Sequence, residues 1–460
     1  VEDLTDRAPQ VLLIVAMLAG AWMLWTMVRY IRADQGTRVS IRQAMRVRWG
    51  WARLARMAGL TVTDKTPGLL AQITAQKDSP APAPRVLTPR IKVKPDRFGV
   101  IVRARTLPQV GLEEYQRAAR FLADAWRCTR VSVLPDGPGR VVIRGVRSDP
   151  LTTPTEHRPT GRPLEEVSRW ELGMDEYAAP VCVSLANVPG VTVAGTPGAG
   201  KTSAVNKFVC DLAPSAAVQI VGFDGKVSRA EEGDYADLVK RMFAFCGDDL
   251  DEANALFKRL VALRRRRSSL IRDVLGVKNM WHVGPSRLWP LTVVLIDEAH
   301  TFFREYKGGD AETKRLAALT AENARLVEDL VKKGRSVGIL VILISQKTTG
   351  DVGLSFAQRT VEAAVAALGD DIRNWPDASP VTLQDPAYVG VAVMAMQGRP
   401  GFTRIRTPYV SDADAARIAE ATSHLTADPA LCLDALLDTT GHTNPGDDGP
   451  NGPAVSLAKP

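Results

Sequence analysis

VTVAGTPGAGKTSAVNKF, residues 191–208, decides how the rest of the chain is read. Within it Gly195, Thr196, Pro197, Gly198, Ala199, Gly200, Lys201 and Thr202 fit the pattern GxxxxGK[ST] at every fixed position. The apolar run Gly190 to Ala194 predicts a short buried strand, and Ser203 to Leu212 predicts a helix. A strand that turns through glycines into a helix start leaves several backbone N–H groups aimed at one spot, where an anion sits. The glycines let the chain bend without a Cβ clash, Lys201 reaches the β and γ phosphates of a nucleotide, and the Thr202 hydroxyl ligates Mg²⁺. The rival reading is a glycine-rich turn that fits the pattern by chance.

A second stretch weakens that rival. LTVVLIDE, residues 291–298, is an apolar run ending in two carboxylates. It predicts a central parallel strand with acids at its C-terminal edge, where open α/β sheets bind ligands. Asp297 would hold Mg²⁺ through its water shell, and Glu298 would polarise the water that attacks the γ-phosphate. A strand ending in a solvated acidic turn is the alternative. Both motifs in this order point to hydrolysis of a nucleotide with Mg²⁺.

Size and charge set the frame around this pair. A chain of 460 residues exceeds what one core usually fills, so two or three domains and tails are expected. The net charge of +8 is uneven: residues 29–60 hold eight arginines and a single acid, Asp34. Residues 1–28 carry −2, which leaves only +3 beyond residue 60, so net charge says nothing about the substrate of the catalytic body. The five cysteines lack CxxC spacing and histidine partners, which argues against a zinc site or a disulfide framework.

Taken in order, Val11 to Val28 contains no charged residue and at roughly 1.5 Å per residue just crosses a hydrocarbon core. Arginines follow at once, so the positive-inside rule puts everything after Arg29 in the cytoplasm, behind a single-pass anchor in the cytoplasmic membrane. A cleaved signal peptide is the rival, with Ala19-Gly20-Ala21 as its cleavage pattern, but the basic n-region is missing. Ile41 to Leu60 mixes arginines with Trp49, Trp51, Leu54 and Met57, a pattern read as a basic amphipathic helix on the inner membrane surface, or more plainly as a solvated linker helix. KDSPAPAP, residues 77–84, is a semi-rigid spacer. Phe98 to Val102, Leu112 to Trp126, and a hairpin of 130–134 with 140–143 around PDGPG predict a small α+β unit.

Further on, Ala217 to Phe223 and Gly338 to Ile344 are predicted buried strands, the first ending in Asp224-Gly225-Lys226 and the second in Ser345-Gln346. A helix capped by Asp248 runs into Arg264–Arg267, read as a solvated helix end or, second, as a contact to a DNA backbone. Lys332-Lys333-Gly334-Arg335 offers a cation to a neighbouring subunit. A short helix is expected near Leu431 to Leu437, and the Gly- and Pro-rich tail should be disordered.

Four stretches, ANVPGVTVAGTPGAGKT, FDGK, VVLIDEAH and KKGRSVGILVILISQKTTGD, together resemble the FtsK/SpoIIIE family of membrane-anchored, hexameric double-stranded DNA translocases. AALGDD at 366–371 and RIRTPYVSDADAARIA resemble the TraB-like conjugative transfer proteins within it. The resemblance implies that Lys201 and Thr202 bind phosphate and Mg²⁺ and that Asp297 and Glu298 are the metal-side and catalytic acids. It further implies Gln346 as the γ-phosphate sensor and Arg335 as the arginine inserted into the adjacent subunit's site.

The expected fold is α/β: a RecA-like P-loop ATPase domain, mostly a parallel sheet flanked by helices, with a small α+β domain and an N-terminal transmembrane helix. The expected layout is an anchor at 1–32, the basic helix and linker at 33–89, the small domain at 90–150, the motor at 165–425, and a short helix and tail at 426–460. The implied activity is an ATP-hydrolysing pump of plasmid or integrative-element DNA between cells, a homo-oligomer and most simply a hexamer, working with other transfer proteins. Alternatives are an ATPase that exports protein, a chromosome-segregation pump, and a nucleotide-gated scaffold without turnover.

Overall fold

The computed structural model describes residues 27–64, 85–188, 190–194, 200–345, 389–395 and 402–440, with Met17, Gly20, Ala21, Leu24 and Gly198. Contacts divide the chain into two units, 1–150 with 176–179, and 151–175 with 180–460.

The first unit is built on helix α1, Gln35–Met57, whose start is fixed by Asp34: its Oδ2 accepts from Thr37 N at 3.1 Å. Strands β1, Val62–Asp64, and β2, Arg85–Leu87, pair antiparallel. Strands β3, Ile91–Pro95, β4, Gly99–Arg105, β5, Arg130–Pro135, and β6, Arg140–Val146, form an antiparallel sheet in the order β3-β4-β6-β5. Val93 faces Val102 and Val102 faces Ile143, so alternate residues make one apolar face. That face is covered by α1 through Ala44, Val47, Trp51 and Ala55, and by helices α2, Leu112–Arg117, and α3, Ala119–Trp126, through Tyr115 and Leu122.

Two expectations change here. The predicted helix of 112–126 is two helices meeting at Ala118. Helix α1 is not a separate juxtamembrane element: it belongs to the core of the small domain, with Trp51 buried and its Nε1 donating to the Pro89 carbonyl at 2.7 Å. Its apolar stripe serves the sheet, and Trp49 on the other side is 88 % exposed. Residues 11–28 lie mostly outside the described residues, among which no helix is long and apolar enough to cross a membrane.

The second unit contains a five-stranded parallel sheet. Its strands are β9, Gly190–Ala194, β10, Val218–Asp224, β11, Met242–Cys246, β12, Leu291–Asp297, and β13, Ile339–Ser345, in the order β11-β10-β12-β13-β9. The apolar runs are continuous because both faces are covered. Val221, Phe223, Val294, Ile296, Val341 and Leu343 pack against helices α5, Leu250–Leu275, and α7, Ala311–Gly334. Ile220, Val293, Leu295, Ile342 and Ile344 pack on the other face with helices α4, Lys201–Leu212, and α8, Asp412–Thr422. Helix α6, His300–Phe303, follows β12. A second sheet joins β7, Arg169–Asp175, and β8, Pro180–Ser184, to β14, Val391–Ala395, and β15, Phe402–Arg406.

Three further expectations are corrected. Asp249, not Asp248, caps α5, its carboxylate accepting from the amides of Asp251 and Glu252. Arg264 to Arg267 lie inside α5 rather than at its end: Arg264 pairs with Asp329, Arg266 with Asp434, and Arg267 is buried over the Trp289 ring. These three are packing residues and leave only Arg265 exposed. The helix near the C-terminus, α9, Pro429–Thr440, buries Leu433 and Leu437 in the same core as α5, so it belongs to the second unit.

Candidate active site

Parallel strands put every strand end on one edge. The register aligns Asp224 of β10 with Asp297 of β12, Ile296 with Leu343, and Ser345 of β13 with Ala194 of β9. The C-terminal edge of the sheet therefore collects the start of the glycine loop, Asp224 and Asp297 in one row. Strand β13 separates the loop's strand from the acid's strand.

Of the glycine loop, residues 195–197 and 199 lie outside the described residues, as do Gln346 and the AALGDD stretch. Gly200 caps α4 with φ +91°, a left-handed conformation that costs glycine nothing. Lys201 and Thr202 open α4 directly after it. Thr202 Oγ1 donates to Asp234 Oδ2 at 3.3 Å, and next in sequence the buried Tyr235 hydroxyl donates to Asp297 Oδ2 at 2.9 Å. The Asp234–Tyr235 pair thus links the threonine of the loop to the acid of the strand. Burial and the nearby Lys226 ammonium lower the Lys201 pKa while Asp297 and Glu298 oppose the shift, so the loop lysine and the acid pair share one electrostatic environment.

Asp297 is 1 % and Glu298 6 % exposed. Asp297 Oδ1 accepts from the Glu298 amide at 2.7 Å, a contact made with Glu298 at φ +48°. A non-glycine residue in that region is strained, and such strain is typical of functional sites. Glu298 Oε1 lies 2.9 Å from His300 Nδ1. Lys226 Nζ stands 3.4 Å from Asp297 Oδ2 and 3.6 Å from Glu298 Oε2. Burial alone would lower the Lys226 pKa, but Asp297 and Glu298 outweigh it and the net shift is upward. Asp224 is pushed upward by burial and by Asp297. Gly225 is required for this packing: a Cβ there would meet Thr301 Cβ at 2.5 Å.

The donor set suits Mg²⁺. A hydroxyl and a carboxylate are hard oxygen ligands, and among the described residues no three His, Cys, Asp or Glu side chains gather as a cage. Such a set fits an ion that arrives with phosphates and water completing its shell.

Arg335 lies elsewhere. It begins the turn Arg335–Val337 after α7, at the N-terminal edge of β13. Three donors hold the carbonyls of that turn and the next residue: Trp281 Nε1 to Arg335 at 3.0 Å, Trp289 Nε1 to Val337 at 3.1 Å, and Arg267 Nη1 to Val337 and Gly338 at 3.2 and 3.3 Å. Lys332 and Lys333 pair with Glu328 and Asp329, whereas the exposed Arg335 side chain has no hydrogen-bond or ion-pair partner among the described residues.

Sequence reading missed Asp234, Tyr235 and His300. His300 was visible in the run IDEAH. Tyr235 lies in a polar stretch between strands, where no spacing rule points to it.

A glycine turn joining a parallel strand to a helix, with an acid pair two strands away on the same edge, defines the class of P-loop nucleotide-binding folds. Comparison with known proteins narrows this. Residues 166–287 match the FtsK/SpoIIIE family and residues 36–147 match the actinomycete conjugal transfer protein N-terminal domain, so the chain carries a domain of each kind. It is 25 % identical over 283 residues to the DNA translocase FtsK of Haemophilus influenzae, covering 54 % of this chain and 50 % of the relative. The chain thus spans half the length of that curated relative. Among solved structures it is similar to the pCW3 conjugation coupling protein TcpA, in its monomer form with ATPγS, at 17 % identity and TM-score 0.48 over 73 % of this chain and 93 % of that one. It is also similar to the cytoplasmic domain of the type VII secretion ATPase EccC of Thermomonospora curvata, at 17 % identity and TM-score 0.39 over 60 % of this chain and 32 % of that one.

Proposed function

We propose that the chain is a membrane-anchored, RecA-like ATPase that pumps double-stranded DNA between cells, moving a plasmid or integrative element. What supports this is the run of contacts from Thr202 to Asp234 and from the adjacent Tyr235 to Asp297, in a chain that matches the FtsK/SpoIIIE family and the actinomycete conjugal transfer protein N-terminal domain.

Lys201 and the amides of the loop bind the phosphates, and Thr202 with Asp297 would hold Mg²⁺. The ion, when bound, neutralises charge that builds on the phosphates during transfer. Glu298 orients and deprotonates the attacking water; His300 fixes its Oε1, and the Tyr235 hydroxyl fixes Asp297. Gln346 contacts the γ-phosphate, and Arg335 acts on the site of a neighbouring copy in a ring of most simply six. The apolar stretch 11–28 is the anchor, with the motor in the cytoplasm.

The test is ATP turnover by the full chain in detergent, with and without duplex DNA. Duplex DNA should stimulate hydrolysis, Lys201→Ala should abolish it, and Glu298→Gln should lower it roughly 10²- to 10⁴-fold with nucleotide binding retained. Turnover indifferent to DNA would overturn the translocase reading, and equal rates for wild type and Glu298→Gln would overturn the enzyme.

A further inference from the structure

The outward side of α1 is left over from the domain core, and it has a chemistry of its own. Met45, Trp49 and Met57 are 48 %, 88 % and 65 % exposed there, interleaved with arginines. Beside them, between α1 and the end of α3, lies a cleft of about 240 Å³. Arg46, Arg53 and Arg127 line it and are exposed, while Val47 and Trp126, which also line it, are buried. Positive charge therefore stands at the mouth and apolar surface lies deeper. None of the three guanidinium groups has a hydrogen-bond or ion-pair partner among the described residues. Two further residues of the lining, Trp126 and Gln43, are more than nine-tenths buried, yet Trp126 Nε1 and Gln43 Oε1 have no hydrogen-bond partner. Buried polar atoms are ordinarily paired; Trp126 Nε1 is an unpaired donor enclosed behind the cationic mouth, whereas Gln43 Oε1 is an acceptor and offers an anion nothing, so the arginines carry the recognition.

We propose that this cleft binds the headgroup of an anionic phospholipid, with Arg46, Arg53 and Arg127 on the phosphate and Trp49 and the methionines seated among the acyl chains. Three observations favour a lipid over a nucleic-acid backbone. The first is charge: residues 29–60 carry eight arginines and one acid, and that acid, Asp34, is occupied as the helix cap. The second is the mixture, because phosphate contacts to DNA need only donors, whereas large exposed apolar side chains among cations are the signature of a membrane interface. The third is continuity. Arg38 donates to the carbonyls of Tyr30 and Ile31, at 3.2 and 2.6 Å, and so joins α1 to the segment that leads from the apolar stretch 11–28. The inference rests on the membrane placement proposed above and not on ATP turnover.

The experiment uses the full chain in mild detergent, equilibrated with equal amounts of phosphatidylglycerol and phosphatidylcholine, with bound lipid counted by mass spectrometry. Phosphatidylglycerol should be enriched, and each of Arg46→Gln, Arg53→Gln and Arg127→Gln should cut the enrichment roughly fivefold, the effect of one cation near an anionic surface. The triple Lys variant should keep it. The triple Gln variant should hydrolyse ATP as wild type does in detergent, which separates this test from the motor reading. Equal retention of the two lipids, or enrichment unchanged in the triple Gln variant, would overturn the inference. So would loss of duplex DNA binding in that variant with lipid retention intact. A chain that stays in membranes without lipid preference would sink this inference alone, and a chain that leaves membranes altogether would sink the anchor as well.

Discussion

Lys226 puts an ammonium between two buried carboxylates, where it touches the Asp297 oxygen that also accepts from Tyr235. Under the proposed role of Asp297, a hydrated Mg²⁺ and the Lys226 ammonium would both draw on the Asp297 carboxylate, so nucleotide binding would compete with the Lys226 contact. Lys226 compensates the acid pair; a bound Mg·ATP would supply positive charge there in its place and free the lysine from the carboxylates. Lys226→Gln should therefore destabilise the nucleotide-free chain by on the order of 1–2 kcal/mol, a value reduced for the third of the side chain that is exposed. Thermal melting with and without Mg·ATPγS checks this: the stabilisation on adding nucleotide should be larger in the variant than in wild type. An equal increment would show that the lysine is not displaced. FDGK marked Lys226 as a strand-end residue, but its placement between two acids needs the register of β10 against β12, which no single stretch of sequence encodes.

Among the elements, α4 carries the site at one end and its anchor at the other. Near its C-terminus Asp211 lies 2.7 Å from Lys207 Nζ, 2.6 Å from His157 Nε2 and 3.0 Å from Trp170 Nε1. Burial alone would raise the Asp211 pKa, but His157 and Lys207 outweigh it and the net shift is below the ordinary 3.8. A depressed folded value means that the stabilisation is present above the unfolded pKa, near 4, and is lost as pH falls through the folded one. Asp211→Asn should cost about 3 kcal/mol at neutral pH, since Lys207 is 3 % exposed and would lose its charge partner. It should also flatten the acid limb of the stability curve below pH 4, read by urea unfolding across pH; an unchanged acid limb would remove Asp211 from the account. The elements themselves were legible to different degrees. Strands β10, β12 and β13 could be read because a strand buried on both faces is an unbroken apolar run, and the half-buried edge strand β9 because it leads into the glycine loop. Helix α1 was readable as amphipathic, but an apolar stripe does not say whether sheet or membrane will cover it. Three of the four consecutive arginines at 264–267 misled because their partners, Asp329, Asp434 and Trp289, come from distant sequence.

For the molecule as a whole, the placement of Arg335 bears on the proposed cooperation between copies. It stands at the N-terminal edge of β13, and the acid pair stands at the C-terminal edge. Seven residues of strand separate the two edges by roughly 20 Å, farther than an arginine side chain reaches. Arg335 therefore has no route to the site of its own chain, and the carbonyl clamp of Trp281, Trp289 and Arg267 keeps its turn from swinging. Any role in turnover is exerted on another copy, head to tail, which is the geometry that closes rings. Two inactive variants should then rescue each other. Arg335→Ala keeps its own Glu298, Glu298→Gln keeps its own Arg335, and in a mixed ring some interfaces carry both intact groups. Equimolar mixing before assembly should restore a fraction of wild-type ATP turnover that neither variant shows alone, and dilution below the assembly concentration should abolish it. If Arg335→Ala proves fully active by itself, or if the mixture stays silent while rings still form, the arginine is not the link between subunits and the site is complete within one chain.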